Sequence, residues 1–147
     1  MTLDEARSRF HTARVARLAT ADANGVPHLV PIVFAIEGDA IVTAIDGKPK
    51  RGRSLRRLEN IEVNPAVSVL VDHEDEDWTQ LWWARADGHA RVVEAGVEAD
   101  DALAQLRRRY PQYETVSLIG PVIVIQVDRW SGWAASASEQ PGDSCEG

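Results

Sequence analysis

Val15-Ala16-Arg17-Leu18-Ala19-Thr20, then Ala21-Asp22-Ala23-Asn24-Gly25, then Val26-Pro27-His28-Leu29-Val30-Pro31-Ile32-Val33-Phe34-Ala35-Ile36 is the stretch that decides the class of fold. In its first segment Val15, Arg17 and Ala19 alternate with Ala16, Leu18 and Thr20, the period of a half-buried strand. Asp22, Asn24 and Gly25 supply a turn, and the second segment is rich in β-branched residues. Pro27 and Pro31 carry no N–H for a ladder, so this second strand is predicted to be bent or partly at an edge. Glu37-Gly38-Asp39 turns the chain into a third strand, Ala40 to Ile45, and the whole reads as an antiparallel meander.

On the N-terminal side, Thr2 and Glu5 form a capping box, and Leu3, Ala6, Phe10 and Ala13 recur at helical spacing, so a short amphipathic helix is predicted to pack on the sheet. On the C-terminal side a loop over Asp46 to Gly52 leads into a helix over Ser54 to Val63. Its Leu55, Leu58 and Glu62 share one side, and Arg53, Arg56, Arg57 and Asn60 share the other. Asn64-Pro65 ends that helix and Val67 to Val71 is a fourth strand. Trp78 to Ala86 and His89 to Glu94 read as a hairpin turning at Asp87-Gly88. A helix over Glu98 to Tyr110 and a strand over Pro121 to Val127 complete the pattern. The prediction is one α+β domain over residues 1–134, an antiparallel sheet of about six strands curling toward a barrel with peripheral helices. Residues 135–147, poor in large apolar side chains, read as a disordered tail.

The chain has 147 residues, 44% of them hydrophobic, enough for one domain with a real core. Lys+Arg 16 against Asp+Glu 23 gives a net charge of −7, which argues against a broad nucleic-acid surface. The apolar runs fall far short of a membrane span, and the N-terminus lacks the basic-then-apolar layout of a secretory signal, so a cytoplasmic protein is expected. Cys145 is the only cysteine, which excludes an intrachain disulfide and a cysteine metal cluster.

Against this acidic background Lys48, Lys50, Arg51, Arg53, Arg56 and Arg57 stand within ten residues, with no carboxylate from Gly47 to Leu58. A solvated helix face is the plain reading. Cations at the first turn of a helix are unfavourable without an anion, however, so a phosphate or carboxylate site is the stronger one. The acidic run Asp72 to Asp77 lacks the alternation and glycine of a calcium loop, and His11, His28, His73 and His89 show no ligand spacing, so no metal is expected. Nucleophile-elbow, Walker and dinucleotide fingerprints are missing. Trp78, Trp82, Trp83, Trp130 and Trp133 point first to core and interface packing. Trp82 and Trp83, adjacent on a strand, must face opposite ways.

These residues together resemble a known family. The Val15–Thr20 strand and its turn to Gly25-Val26-Pro27-His28, the basic loop Lys48-Pro49-Lys50-Arg51, and Arg57-Leu58-Glu59-Asn60-Ile61 leading to Asn64-Pro65-Ala66-Val67-Ser68 are similar to the pyridoxamine 5′-phosphate oxidase-like flavin and deazaflavin superfamily. Trp82-Trp83-Ala84-Arg85-Ala86-Asp87-Gly88 and Asp128-Arg129-Trp130-Ser131-Gly132-Trp133 resemble its branch assigned to the deazaflavin coenzyme F-420. The resemblance implies a homodimeric split β-barrel of the FMN-binding type, with the cofactor in a groove between subunits. It implies phosphate contacts from Lys48 and Lys50, cofactor contacts from Arg57, Asn60 and Thr43, a ring lined by Ile32 and Val33, and Trp78 near that ring. Pro31-Ile32-Val33 offers no polar side chain where FMN-using relatives often place one, so ring contacts through backbone are expected.

The function implied is transfer of a hydride from reduced F-420 to an unsaturated small-molecule acceptor. With no reactive cysteine in the domain and no metal expected, the cofactor carries the electrons. An FMN-dependent oxidoreductase of the same fold and a non-catalytic F-420 carrier are the alternatives, and neither nucleic acid nor a membrane is an expected partner.

Overall fold

The computed structural model describes residues 1–46 and 55–136. The first helix, α1 (Leu3–Thr12), starts at the capping box: the Glu5 N–H donates to Thr2 Oγ1 at 3.1 Å and the Thr2 N–H to Glu5 Oε2 at 2.8 Å. It buries Ala6 and Phe10 while Leu3 stays exposed. Strand β1 (Ala16–Ala21) buries Ala16, Leu18 and Thr20 as its alternation predicts. In the following turn Asp22 Oδ1 accepts from the N–H groups of Asn24 and Val26, and Gly25 takes a φ of +79°, a conformation that glycine adopts without strain.

The run from Val26 to Ile36 is two strands rather than one, β2 (Pro27–Ile32) and β3 (Ala35–Glu37), followed by β4 (Ala40–Asp46). With β5 (Ala66–His73), β6 (Trp82–Val93) and β7 (Leu118–Ala134) they form one seven-stranded antiparallel sheet in the order β2-β1-β5-β6-β7-β4-β3. Both edges of the sheet therefore come from one short stretch of chain. Seven strands at about 4.8 Å spacing would put the edges of a flat sheet about 29 Å apart, yet the three steps from Ile32 to Ala35 reach at most about 10 Å. The sheet must curl until its edges nearly meet, which is a barrel split at one corner.

That corner is Phe34, fully buried and held from α3 (Val97–Arg109) and the residue after it. The Tyr110 hydroxyl accepts from the Phe34 N–H at 3.1 Å and lies 2.9 Å from the carbonyls of Arg14 and Phe34, donating its proton to one of them. Arg109 donates to the Phe34 carbonyl at 2.8 Å and to the carbonyls of Phe10, His11 and Ala13, with its guanidinium 4.5 Å from the Phe34 ring centre. Burial pushes the Arg109 guanidinium below its ordinary pKa. Inside the barrel Phe10 packs edge-on against Phe34 and Trp130. A second apolar cluster, with Leu103, Leu106 and Tyr110, joins α3 to β4 and β7.

The structure corrects the sequence reading at three further places. Asp87-Gly88 is no hairpin turn, because β6 runs unbroken through it and the strand count is seven rather than about six. A Cβ on Gly88 would lie 2.1 Å from the Gln126 carbonyl oxygen, so glycine is there to let β7 approach at a bulge, not to turn the chain. The helix read over Ser54 to Val63 is observed as α2 (Arg56–Val63), and the expected shared face of Arg56, Arg57 and Asn60 does not hold together: Asn60 is buried beside Ile61 while Arg56 is exposed, and Arg53 lies outside the described residues. The last strand extends well beyond Val127, and past the expected boundary at 134 the Ala135 N–H still donates to the Leu81 carbonyl at 2.8 Å. The rest of the expected tail, from 137, lies outside the described residues.

Candidate cofactor site

Three of the residues expected to contact a cofactor meet at the C-terminal end of β2. Ile32 points into the barrel core and Val33 packs with the second cluster. Thr43 is 2% exposed and its hydroxyl donates to the Val33 carbonyl at 2.7 Å, tying β4 to the chain just before the Phe34 corner. None of the three turns a polar side chain outward, so what this end of β2 can offer a ring is backbone. Beside it Arg14, Val33, Tyr110, Gln112, Tyr113 and Val116 line a cavity of about 230 Å³.

The other end of β2 pairs with β1 at Thr20, and α2 packs on β1. Asn60, 2% exposed, donates from Nδ2 to Thr20 Oγ1 at 3.0 Å. Arg57, three residues earlier on α2, shares that side of the helix and is half-buried. Across the β1–β2 ladder Thr20 stands opposite His28, whose Nδ1 is buried with no hydrogen-bond partner among the described residues. Sequence reading missed Thr20 as a site residue; the turn at 22–25 contained the signal, since it fixes the register of β1 on β2. Lys48 and Lys50 lie outside the described residues.

Trp78 is not brought to either group. It sits on a 3-10 turn (Trp78–Gln80) capped by Asp77, and is 59% exposed. The hydrogen bonds from the Thr79 hydroxyl and N–H hold the Asp77 carboxyl below its ordinary pKa. The turn adjoins the His73–Trp82 end of the β5–β6 ladder, whereas Thr20 is level with Val67, so about 20 Å of strand separates them.

The outer face of the sheet carries a second set of unmatched groups. Trp82 turns inward, stacking on His73 with Arg9 over its ring, and Trp83 turns outward beside Arg85. On the outer side Ser68 donates to Asp87 at 2.5 Å, and Arg85 donates to the same carboxylate at 3.0 Å. Trp83 Nε1 and Ser131 Oγ are buried without a hydrogen-bond partner among the described residues. Leu29 and Leu70 are exposed on this face. Among the described residues no three His, Cys, Asp or Glu side chains form a metal-binding group, and no helix is long and apolar enough to cross a membrane.

A seven-stranded sheet curled until its edges meet, with α1 against its interior and the buried Asn60 of α2 bonded to β1, defines a split barrel of the flavin-binding type. The chain belongs to the pyridoxamine 5′-phosphate oxidase family, whose sequence profile matches residues 2–134. Among solved structures it is similar to the heme storage protein HutZ from Vibrio cholerae, with a TM-score of 0.67 and 21% identity over 91% of this chain and 95% of that one. It is similar to a FAD-binding protein (mll6688) from Mesorhizobium loti, with a TM-score of 0.67 and 21% identity over 90% and 94%. The FAD binding protein from Mycobacterium smegmatis gives a TM-score of 0.61 and 17% identity over 90% and 94%. At these identities the likeness is one of fold. No curated protein matches the sequence.

Proposed function

We propose that the chain is a homodimeric oxidoreductase that binds coenzyme F-420 along β2 and uses its reduced form to transfer a hydride to an unsaturated small-molecule acceptor. The observation that carries this reading is the unpaired edge of β2, which runs from the Thr20–Asn60 pair under α2 to the Val33–Thr43 latch. The residues fit such a cofactor. Arg57 and Asn60, with the cations of residues 48–53 that precede them in sequence, suit a phosphate and an acidic tail, and backbone at Ile32 and Val33 suits a planar ring. When bound, the reduced deazaflavin supplies the hydride. The protein anchors the anion, fixes the ring by a rigid strand and keeps water out with the apolar side chains around Val33.

The homodimer is proposed through the outer sheet face, where a second copy would cover the exposed Leu29 and Leu70. In such a dimer Trp78 reaches the groove only from the other subunit. The similar FAD-binding proteins favour a flavin as the alternative cofactor.

The absorption spectrum and mass of the compound that copurifies from the native host test the assignment, backed by calorimetric titration with F-420 and FMN at low and high salt. Tighter binding of F-420, weakening with salt, is expected because it presents more negative charge to the cation cluster. Copurified flavin, or equal affinities, would leave the FMN reading. Tight F-420 binding without oxidation of the reduced coenzyme by a broad acceptor panel would make the protein a carrier.

A further inference from the structure

The cavity beside Val33 has two aromatic rings in its wall and one cation. The Tyr110 and Tyr113 rings meet at 83° with their centres 6.2 Å apart, and Val33 and Val116 extend the apolar lining. The Tyr110 hydroxyl is engaged at the Phe34 corner, so what this residue offers a ligand is its ring. Arg14, exposed between α1 and β1, holds its guanidinium 5.5 Å from the centre of that ring. Arg109 stands 5.5 Å from the same ring but is committed to backbone carbonyls, whereas no carboxylate among the described residues pairs with Arg14. Two guanidiniums against one ring leave positive charge in excess. Arg109 registers it: burial first, and the charge of Arg14 as well, push its pKa down.

We propose that this cavity seats the hydride acceptor and that the acceptor is a small, flat, unsaturated carboxylate, its anion held by Arg14 and its body against the two tyrosine rings. The inference rests on the cofactor reading above and deepens it by naming the substrate class. The cavity, about 230 Å³, is smaller than the roughly 300 Å³ at which pockets for drug-sized ligands begin, so it selects a small molecule. A planar guanidinium matches the two oxygens of a carboxylate, and the apolar wall around it strengthens the attraction. Val33 belongs both to this cavity and to the stretch of β2 assigned to the cofactor ring, which puts the acceptor next to the ring. The acceptor takes a hydride at the carbon β to its carboxylate and a proton at the α-carbon, the two that the reduced coenzyme gives up on oxidation, and leaves as the saturated acid.

The probe is trans-cinnamate, with its methyl ester as the uncharged control, titrated into the full chain with and without saturating oxidised F-420 and followed by amide NMR. Cinnamate is expected to move the signals of Val33, Tyr113 and Val116, to bind about tenfold more tightly than the ester, and to bind together with F-420. Arg14→Gln is expected to lose about tenfold in cinnamate affinity, and Arg14→Lys, which keeps the charge without the planar fork, to lose less, both with wild-type melts and wild-type F-420 affinity. No shift at those residues, equal binding of acid and ester, wild-type cinnamate affinity in Arg14→Gln, or mutual exclusion of cinnamate and F-420 overturns the assignment and leaves the cofactor reading in place. Wild-type protein that binds cinnamate through Arg14 but neither F-420 nor FMN overturns the cofactor reading, and with it the part of this cavity in a hydride transfer.

Discussion

Arg56 and Arg57 are neighbours in sequence and opposites in environment, one exposed on α2 and the other half-buried on the side of Asn60. Sequence spacing placed both on one basic face, because it could not see that Asn60 reaches Thr20, forty residues earlier, and so defines the inward side. If the inward side holds the cofactor, Arg57→Ala weakens F-420 binding about ten- to hundredfold through the loss of a charge-assisted contact. Arg56→Ala, acting only through screened charge, changes it less than about threefold. Two dissociation constants measured beside thermal melts check this, and equal losses in folded proteins would remove Arg57 from the site. Asp39 makes a different residue-scale prediction. Trp130 Nε1 donates to its carboxylate at 2.8 Å and Arg7 at 3.2 Å, and these contacts, Trp130 first, hold its pKa below the ordinary value. A carboxylate depressed in the folded state stabilises above its unfolded pKa, and that contribution is lost as pH falls through the folded value. Melting temperature should therefore drop on acidification below about pH 4, and less steeply in Asp39→Asn.

At the scale of elements, most of the strands and all three helices were legible, because alternation, the capping box at Thr2 and the turn at Asp22 to Gly25 are local signals. The false hairpin at Asp87-Gly88 arose because a glycine that permits a turn and one that permits close approach look alike in sequence. What distinguishes them is the Gln126 carbonyl, thirty-eight residues away on β7. Gly88→Ala should then cost about 3 kcal/mol or more, since backbone of a central ladder must move to admit the methyl group. Urea unfolding measures it, and a loss under about 1 kcal/mol would mean that Asp87-Gly88 has turn-like slack after all. The break of the second strand at Phe34 was only half readable. Pro27 and Pro31 marked an edge, but the residues that fix the corner, Arg109 and Tyr110, belong to the far end of α3.

For the whole molecule, the curl of the sheet was within reach of sequence, and the two-ended arrangement of the proposed site along β2 was not, since it depends on which strands become edges. The outer face carries the prediction at this scale. Trp83→Arg should shift the protein from dimer to monomer in sedimentation equilibrium while leaving the fold intact by circular dichroism; wild type that is monomeric at tens of micromolar would remove the proposed interface. The edge strands bear on solubility as well. In β2 the outward residues Pro27 and Pro31 have no N–H, so of the positions that share their orientation only Leu29 retains a donor. The opposite edge, β3, is three residues long. An added strand from another molecule would find carbonyls but almost no row of donors on one side and almost no length on the other, so the split in this barrel resists β-polymerisation while remaining open to a small ligand.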